Sequence, residues 1–222
     1  MRLKDAKKIL SYISRIMKNP FSKQSRSAIK RYVRESGAII NEKYRGLDFT
    51  MVYQCENNKH NNNYSKSPER VLRKIFDYID FSKEHSFIDM GCGKGYVMAI
   101  ASEYGFEKVA GVEYTTELCQ ICKKNLEVLH INKAEIFNCD AKEFEKYSEY
   151  DCFYFCNPFD ETILSVVAKK IFDSHTENKV YIYYLNPHQE ERQKAILDAG
   201  FKLECVIKDG SEEYFDINIY TN

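Results

Sequence analysis

From residue 86 onward, short apolar runs alternate with stretches whose apolar residues recur at helical spacing. The runs predict strands at Ser86–Met90, Lys108–Glu113, Ala134–Cys139, Cys152–Cys156, Lys179–Leu185, Lys202–Lys208 and Tyr214–Tyr220. Between the first six lie predicted helices that begin near Gly95, Thr115, Ala141, Glu161 and Gln189, the last closed by Ala199-Gly200. Strands that are apolar on both faces and separated by helices predict a mostly parallel sheet covered on two sides. Only Asp209-Gly210-Ser211-Glu212 separates the last two runs, which is too short for a crossover and predicts an antiparallel hairpin. The expected fold is α/β: a doubly wound, mostly parallel seven-stranded sheet ending in an antiparallel hairpin.

Upstream the pattern changes. Leu3, Ala6, Leu10, Ile13 and Met17 predict an amphipathic helix, and Ala28, Ile29, Tyr32 and Val33 predict a second over 25–36. Both are assigned to a helical N-terminal extension, residues 1–53. Residues 54–67 are rich in Asn and Lys and predict a polar, flexible segment. Ser67-Pro68-Glu69 then announces a helix running to about Ile79, with Ser as cap and Pro in the first turn, which opens the main domain at residues 68–222.

Composition narrows the class. Hydrophobic residues make up 44% of the 222 and charged residues 30%, with 9 Gly and 4 Pro, which excludes collagen-like and wholly disordered chains. No apolar run approaches the roughly 18 residues needed to span a bilayer. Lys+Arg 33 equals Asp+Glu 33, yet residues 1–48 are strongly basic and the remainder is acidic. That arm suits a phosphate-bearing or anionic surface, or simply neutralises the body; both readings stand. Eight cysteines and no secretory signal predict a reducing, cytoplasmic setting. Cys119 and Cys122 form a CxxC with no second pair at zinc spacing, so they predict helix packing and no metal site.

The sharpest chemical signal is Asp89-Met90-Gly91-Cys92-Gly93-Lys94-Gly95, a strand running into a glycine loop that opens a helix. The glycines alternate, with Tyr96 where a dinucleotide fingerprint would place its third, and Asp89 would repel a phosphate and attract a cation. Glu113 ends the next strand, where a carboxylate can accept hydrogen bonds from ribose hydroxyls, and Asp140 ends the third, suited to an adenine amino group. A cationic nucleoside cofactor is predicted.

DMGCGKG, VAGVE and NCDA resemble successive motifs of the class I, seven-strand S-adenosylmethionine-dependent methyltransferases, over roughly residues 68–222. The resemblance implies S-adenosylmethionine as cofactor, with Asp89 and the backbone of Gly91 and Gly93 at its methionine portion and with Met90, Cys92 and Gly95 among the cofactor-binding residues. It implies Glu113 at the ribose, Asp140 with Ala141 at the adenine, and Tyr114 packed on the adenine face. Tyr64, with Ser65, is expected to fold over the cofactor as a lid.

Methyl transfer is an in-line displacement, so positioning the acceptor matters more than a strong base. The fourth strand ends in Asn157-Pro158-Phe159-Asp160, similar to the Asn-Pro-Pro-aromatic motif of methyltransferases acting on amino nitrogens, with the second proline missing. The resemblance implies that Asn157 accepts hydrogen bonds from the acceptor's amino group while Phe159 stacks on it. His188 and Asp160 are alternative bases. The expected function is methylation of an amino nitrogen on a protein, nucleic acid or small molecule, with the basic arm recognising the acceptor. A non-catalytic cofactor-binding subunit and a nicotinamide-dependent reductase are the competing readings.

Overall fold

The computed structural model describes residues 23–51, 53, 64–185, 190–210 and 215–222. The helix expected over 3–17, most of the polar segment and His188 lie outside these residues. The chain divides into two compact units at Arg45/Gly46. In the first, helix α1 (Lys23–Tyr44) is longer than the 25–36 expected and exposes Ile29, Val33, Ile40 and Tyr44. Among the described residues, no helix is long and apolar enough to cross a membrane.

The second unit is the predicted α/β fold. Its elements are α2 (Glu69–Tyr78), β1 (Ser86–Met90), α3 (Tyr96–Ala101), β2 (Lys108–Glu113), α4 (Thr116–Val128), β3 (Glu135–Asn138), β4 (Cys152–Phe155), α5 (Glu161–Asp173), β5 (Tyr181–Leu185), α6 (Glu190–Asp198), β6 (Lys202–Ile207) and β7 (Ile217–Thr221). The sheet order is β3-β2-β1-β4-β5-β7-β6. The first five strands pair in parallel, while β7 runs antiparallel to both β5 and β6. The reversed strand is therefore inserted one place in from the edge, and β6 closes the sheet.

Period-two alternation sends successive side chains to opposite faces. Phe87, Cys152, Tyr154, Tyr183 and Ile219 pack on one side with Leu72, Ile75 and Phe76 of α2 and Cys122 and Leu126 of α4. Ile88, Met90, Phe153, Phe155 and Tyr184 pack on the other with Leu164, Val167 and Ile171 of α5 and Ile196 of α6. All five residues of β1 are buried, as a central parallel strand requires.

Two local expectations differ. The helix expected from Ala141 is a pair of 3-10 turns, Ala141–Glu143 and Tyr147–Glu149. Its apolar residues explain this: Phe144, Tyr147 and Tyr150 are all buried and stand three apart, the period that a 3-10 turn aligns on one face. Ser67 does not cap α2, whose N-cap is Pro68. The Ser67 hydroxyl instead accepts a hydrogen bond from the Tyr154 hydroxyl, 3.0 Å away, turning inward toward the sheet.

Candidate active site

At the carboxyl end of β1 the chain enters a loop that side chains would obstruct. Gly93 has φ +52°, and a Cβ there would sit 2.3 Å from the Tyr64 ring; a Cβ at Gly91, φ +114°, would sit 2.4 Å from Pro158 Cβ. Only glycine combines this left-handed backbone with so close an approach. The Gly91 and Cys92 amides both donate to the Val112 carbonyl at 2.9 Å, tying the loop to β2. Tyr64 and Pro158 thus both pack directly against the glycine loop.

These segments enclose a cleft of about 800 Å³, measured with its open mouth, a size suited to a nucleoside-bearing ligand. Asp89 is 3% exposed, and no hydrogen bond or ion pair from a described residue reaches its carboxylate. Burial, and next the Glu113 carboxylate, push its pKa well above the ordinary range. A buried carboxylate without a partner is costly, and a cation would relieve it. Burial also raises Glu113, but two amides hold it: Gly93 N–H donates to Oε2 at 2.9 Å and Thr115 N–H to Oε1 at 2.7 Å. A carboxylate at this strand end can accept hydrogen bonds from ribose hydroxyls. These two carboxylates fit S-adenosylmethionine: Asp89 would face a positive centre and Glu113 the sugar.

Lys94, inside the glycine loop, is 2% exposed. Its ammonium donates to Asp48 Oδ1 and to the Met51 carbonyl, both at 2.7 Å. Asn125 of α4 clasps the same strap: Asp48 N–H donates to its Oδ1 at 2.9 Å, and its Nδ2 donates to the carbonyls of Asp48 and Lys94 at 3.0 Å. The Tyr64 hydroxyl donates to the Phe49 carbonyl at 2.8 Å. Residues 47–51 thereby support the ring that covers Gly93, and Lys94 is neutralised locally so that it does not oppose a cationic cofactor.

The acceptor side is built differently. Asn157 follows β4 with φ +46°. Its Oδ1 accepts from the Tyr184 hydroxyl at 2.9 Å and from Arg192 Nη1 at 2.8 Å. A guanidinium carries donors only, so the atom facing it must be the amide oxygen. The expectation that this oxygen receives an acceptor's amino group therefore meets an oxygen already holding two donors. Arg192, on α6, is 7% exposed, and its Nε is buried without a partner among the described residues. Burial raises the Tyr184 phenol to about 12, so it is a donor at neutral pH.

Of the residues predicted from sequence, the cleft brings together Tyr64, Asp89, Gly91, Cys92, Gly93, Glu113, Tyr114, Ala141, Asn157, Pro158 and Phe159. Ser65 lines it too. Phe159 is buried edge-on against Phe155 with ring centres 6.0 Å apart. Met90 lies in the core, and Gly95 lies over Cys122, where a Cβ would stand 2.4 Å from its Sγ. Asp140 Oδ1 accepts from the Lys142 amide at 2.9 Å, capping the 3-10 turn. Asp160 caps α5 through the Ile163 amide at 3.1 Å. Lys66, Ser67, Tyr96, Tyr154 and Cys156 also line the cleft without having been foreseen; the Ser-Pro pair, read only as a helix start, was their one sequence signal. His85, Asp151 and Cys152 gather at the opposite end of β1 and β4. There His85 Nδ1 meets Asp151 Oδ2 at 2.5 Å and Ser86 N–H donates to Oδ1 at 2.7 Å, joining the two strand starts.

Residues 22–171 match the model of the protein-L-isoaspartate(D-aspartate) O-methyltransferase family. The chain belongs to that family. Membership agrees with the resemblance read from the glycine loop and with S-adenosylmethionine as the cofactor. Among curated proteins the chain is similar to a protein-L-isoaspartate O-methyltransferase of Thermotoga maritima, 30% identical over 139 residues, 60% of this chain and 42% of the relative. It is also similar to a ribosomal protein L11 methyltransferase of Acetivibrio thermocellus, 25% identical over 126 residues, 54% of this chain and 37% of that protein. The matches thus span less than half of either relative. In fold it is similar to a magnesium protoporphyrin IX methyltransferase from Synechocystis, solved with S-adenosylmethionine bound, at TM-score 0.54 and 14% identity over 69% of this chain and 78% of the other.

Proposed function

We propose that the protein transfers the methyl group of S-adenosylmethionine to a carboxylate oxygen on a protein or peptide. The observation that carries this reading is the double engagement of the Asn157 amide oxygen by Tyr184 and Arg192. An amino acceptor would need that oxygen, and it would need a base to remove a proton; a carboxylate is already deprotonated at neutral pH and needs neither. The Arg192 guanidinium behind the loop favours an anionic acceptor over an ammonium. Family membership and the isoaspartate relatives support the same choice.

The bound cofactor supplies an electrophilic methyl on a sulfonium that leaves neutral. Asp89 balances the positive charge, Glu113 and its two amides orient the ribose, and Tyr64 over Gly93 excludes water from the cofactor end. Asn157, Pro158 and Phe159 form the wall that the acceptor meets. The basic residues of the first 48 positions suit an acidic protein acceptor.

Incubation with methyl-labelled S-adenosylmethionine and three peptides, carrying isoaspartate, aspartate or lysine as the sole acceptor, tests the reading. Label in a carboxyl peptide that is released as methanol in mild alkali is the expected result. Alkali-stable label on the lysine peptide overturns it, and cofactor binding with no transfer to any peptide favours a cofactor-binding subunit instead.

A further inference from the structure

At the starts of β1 and β4, the opposite end of these strands from the cofactor cleft, three metal-ligating side chains converge. His85, Asp151 and Cys152 each bring a ligand atom within 4.8 Å of the other two. The backbone that carries them is tied on both sides: Asp151 N–H donates to the Ser86 carbonyl at 3.1 Å, Tyr181 N–H to the Asp151 carbonyl at 2.8 Å and Glu107 N–H to the His85 carbonyl at 2.9 Å. Ser86 N–H also holds Asp151 Oδ1 at 2.7 Å, which leaves Oδ2 turned to His85 Nδ1. The His85 ring is steadied edge-on by Phe81 and Tyr181, with ring centres 6.5 and 6.4 Å away. Cys152 is buried, while His85 and Asp151 are partly open to solvent, so an ion has a way in. An ion pair of His85 with Asp151 would join the strand starts by itself; it does not call for a sulfur beside it.

We propose that His85, Asp151 and Cys152 form a binding site for a zinc-class divalent cation, with water as the fourth ligand, that staples the starts of β1 and β4 together. The donor set selects the metal. Mg2+ and Ca2+ take oxygen ligands, whereas a mixed set of nitrogen, oxygen and sulfur suits Zn2+ and its borderline neighbours. The charges balance as well. On binding, the Cys152 thiol passes its proton to solvent as the sulfur–metal bond forms, and one thiolate with one carboxylate cancels the two charges of the ion, while His85 binds as neutral imidazole. The spacing is within reach of small side-chain adjustments. With metal–ligand bonds of about 2.0–2.3 Å, tetrahedral ligands stand roughly 3.3–3.6 Å apart, so the His85–Asp151 contact opens by about 1 Å and the widest separation closes by little more. The site shares no residue with the cofactor end or the acceptor wall, and it stands independently of the carboxylate reading.

Cobalt(II) reports thiolate ligation directly. The full-length protein, stripped with a chelator and kept reduced with a phosphine, is titrated with Co2+ in saturating S-adenosylhomocysteine, so that ions do not collect at the cleft carboxylates. The expected result is one equivalent bound, with a near-ultraviolet thiolate-to-cobalt band and visible bands of four-coordinate strength, both erased by Zn2+. Cys152→Ser should lose the near-ultraviolet band, and His85→Gln should weaken Co2+ binding at least about tenfold, with S-adenosylhomocysteine affinity unchanged in both. Zn2+ should raise the unfolding temperature of the wild type and leave that of His85→Gln where it was. Absence of the near-ultraviolet band in the wild type overturns the proposal. A band that survives Cys152→Ser overturns it too, because another of the eight cysteines then supplies the sulfur. Should Cys152→Ser fail to bind S-adenosylhomocysteine, His85→Gln decides the matter: undiminished Co2+ affinity there refutes the site.

Discussion

The two ends of the cleft handle polar groups in opposite ways. At the cofactor end Asp89 is buried with no hydrogen-bond or ion-pair partner among the described residues, and a bound cation would relieve it. At the acceptor end Asn157 Oδ1 already holds two donors, so this part of the wall is complete before any acceptor arrives. One end keeps a buried carboxylate that a cationic ligand would relieve; at the other an amide oxygen is satisfied from within the fold.

Neutralising Asp89 is the most direct way to break the contrast. Asp89→Asn removes the charge that pairs with the cofactor and should weaken S-adenosylmethionine binding about a hundredfold, while making the ligand-free protein more resistant to heat. Calorimetric titration and thermal unfolding of one preparation check both signs; tight binding by the variant would refute the assignment of Asp89. Asn157→Gly acts the other way. Glycine accepts the positive φ, but the Arg192 guanidinium loses its hydrogen-bond partner, so the ligand-free protein should lose about 2 kcal/mol of stability with cofactor affinity retained. Chemical denaturation measures it, and an unchanged midpoint would contradict the view of Arg192 as dependent on that oxygen.

The smallest effect concerns pH. With its folded pKa raised, Asp89 binds more protons in the folded than in the unfolded state, so the ligand-free protein loses stability as pH rises through the window between the ordinary carboxylate value and the raised one. A cation binds only the carboxylate. Cofactor affinity should therefore fall, by at most about tenfold per pH unit, as pH drops below the raised value, with a proton released on binding there. Titrations in buffers of different ionisation enthalpy count that proton; Asp89→Asn should abolish the slope.

The two ends also differ in how far the sequence disclosed them. The cofactor end was legible because strand, glycine loop and acid follow one another locally, and alternating glycines differ from a dinucleotide fingerprint at a glance. The acceptor end was legible only as a location. Asn157, Pro158 and Phe159 reach the cleft as expected, but what Asn157 does there depends on Tyr184 and Arg192, 27 and 35 residues away. An arginine in the acidic start of α6, EERQKAILD, reads as solvated until the fold buries it. The strap over the glycine loop was hidden for the same reason, since Asp48 meets Lys94 across 46 residues and Asn125 across 77. Even the misread helix at Ala141 follows this rule, because only packing chose the three-residue period of Phe144, Tyr147 and Tyr150 over a longer one.

The buried Lys94 also sets how much chain the cofactor loop needs around it. Its ammonium is satisfied by Asp48 and Met51, and Asn125 of α4 holds the strap that carries them, so the cofactor loop rests on contacts that are distant along the chain. A fragment begun at Pro68, where the motifs themselves start, would keep every cofactor motif and strand Lys94 without a counter-ion.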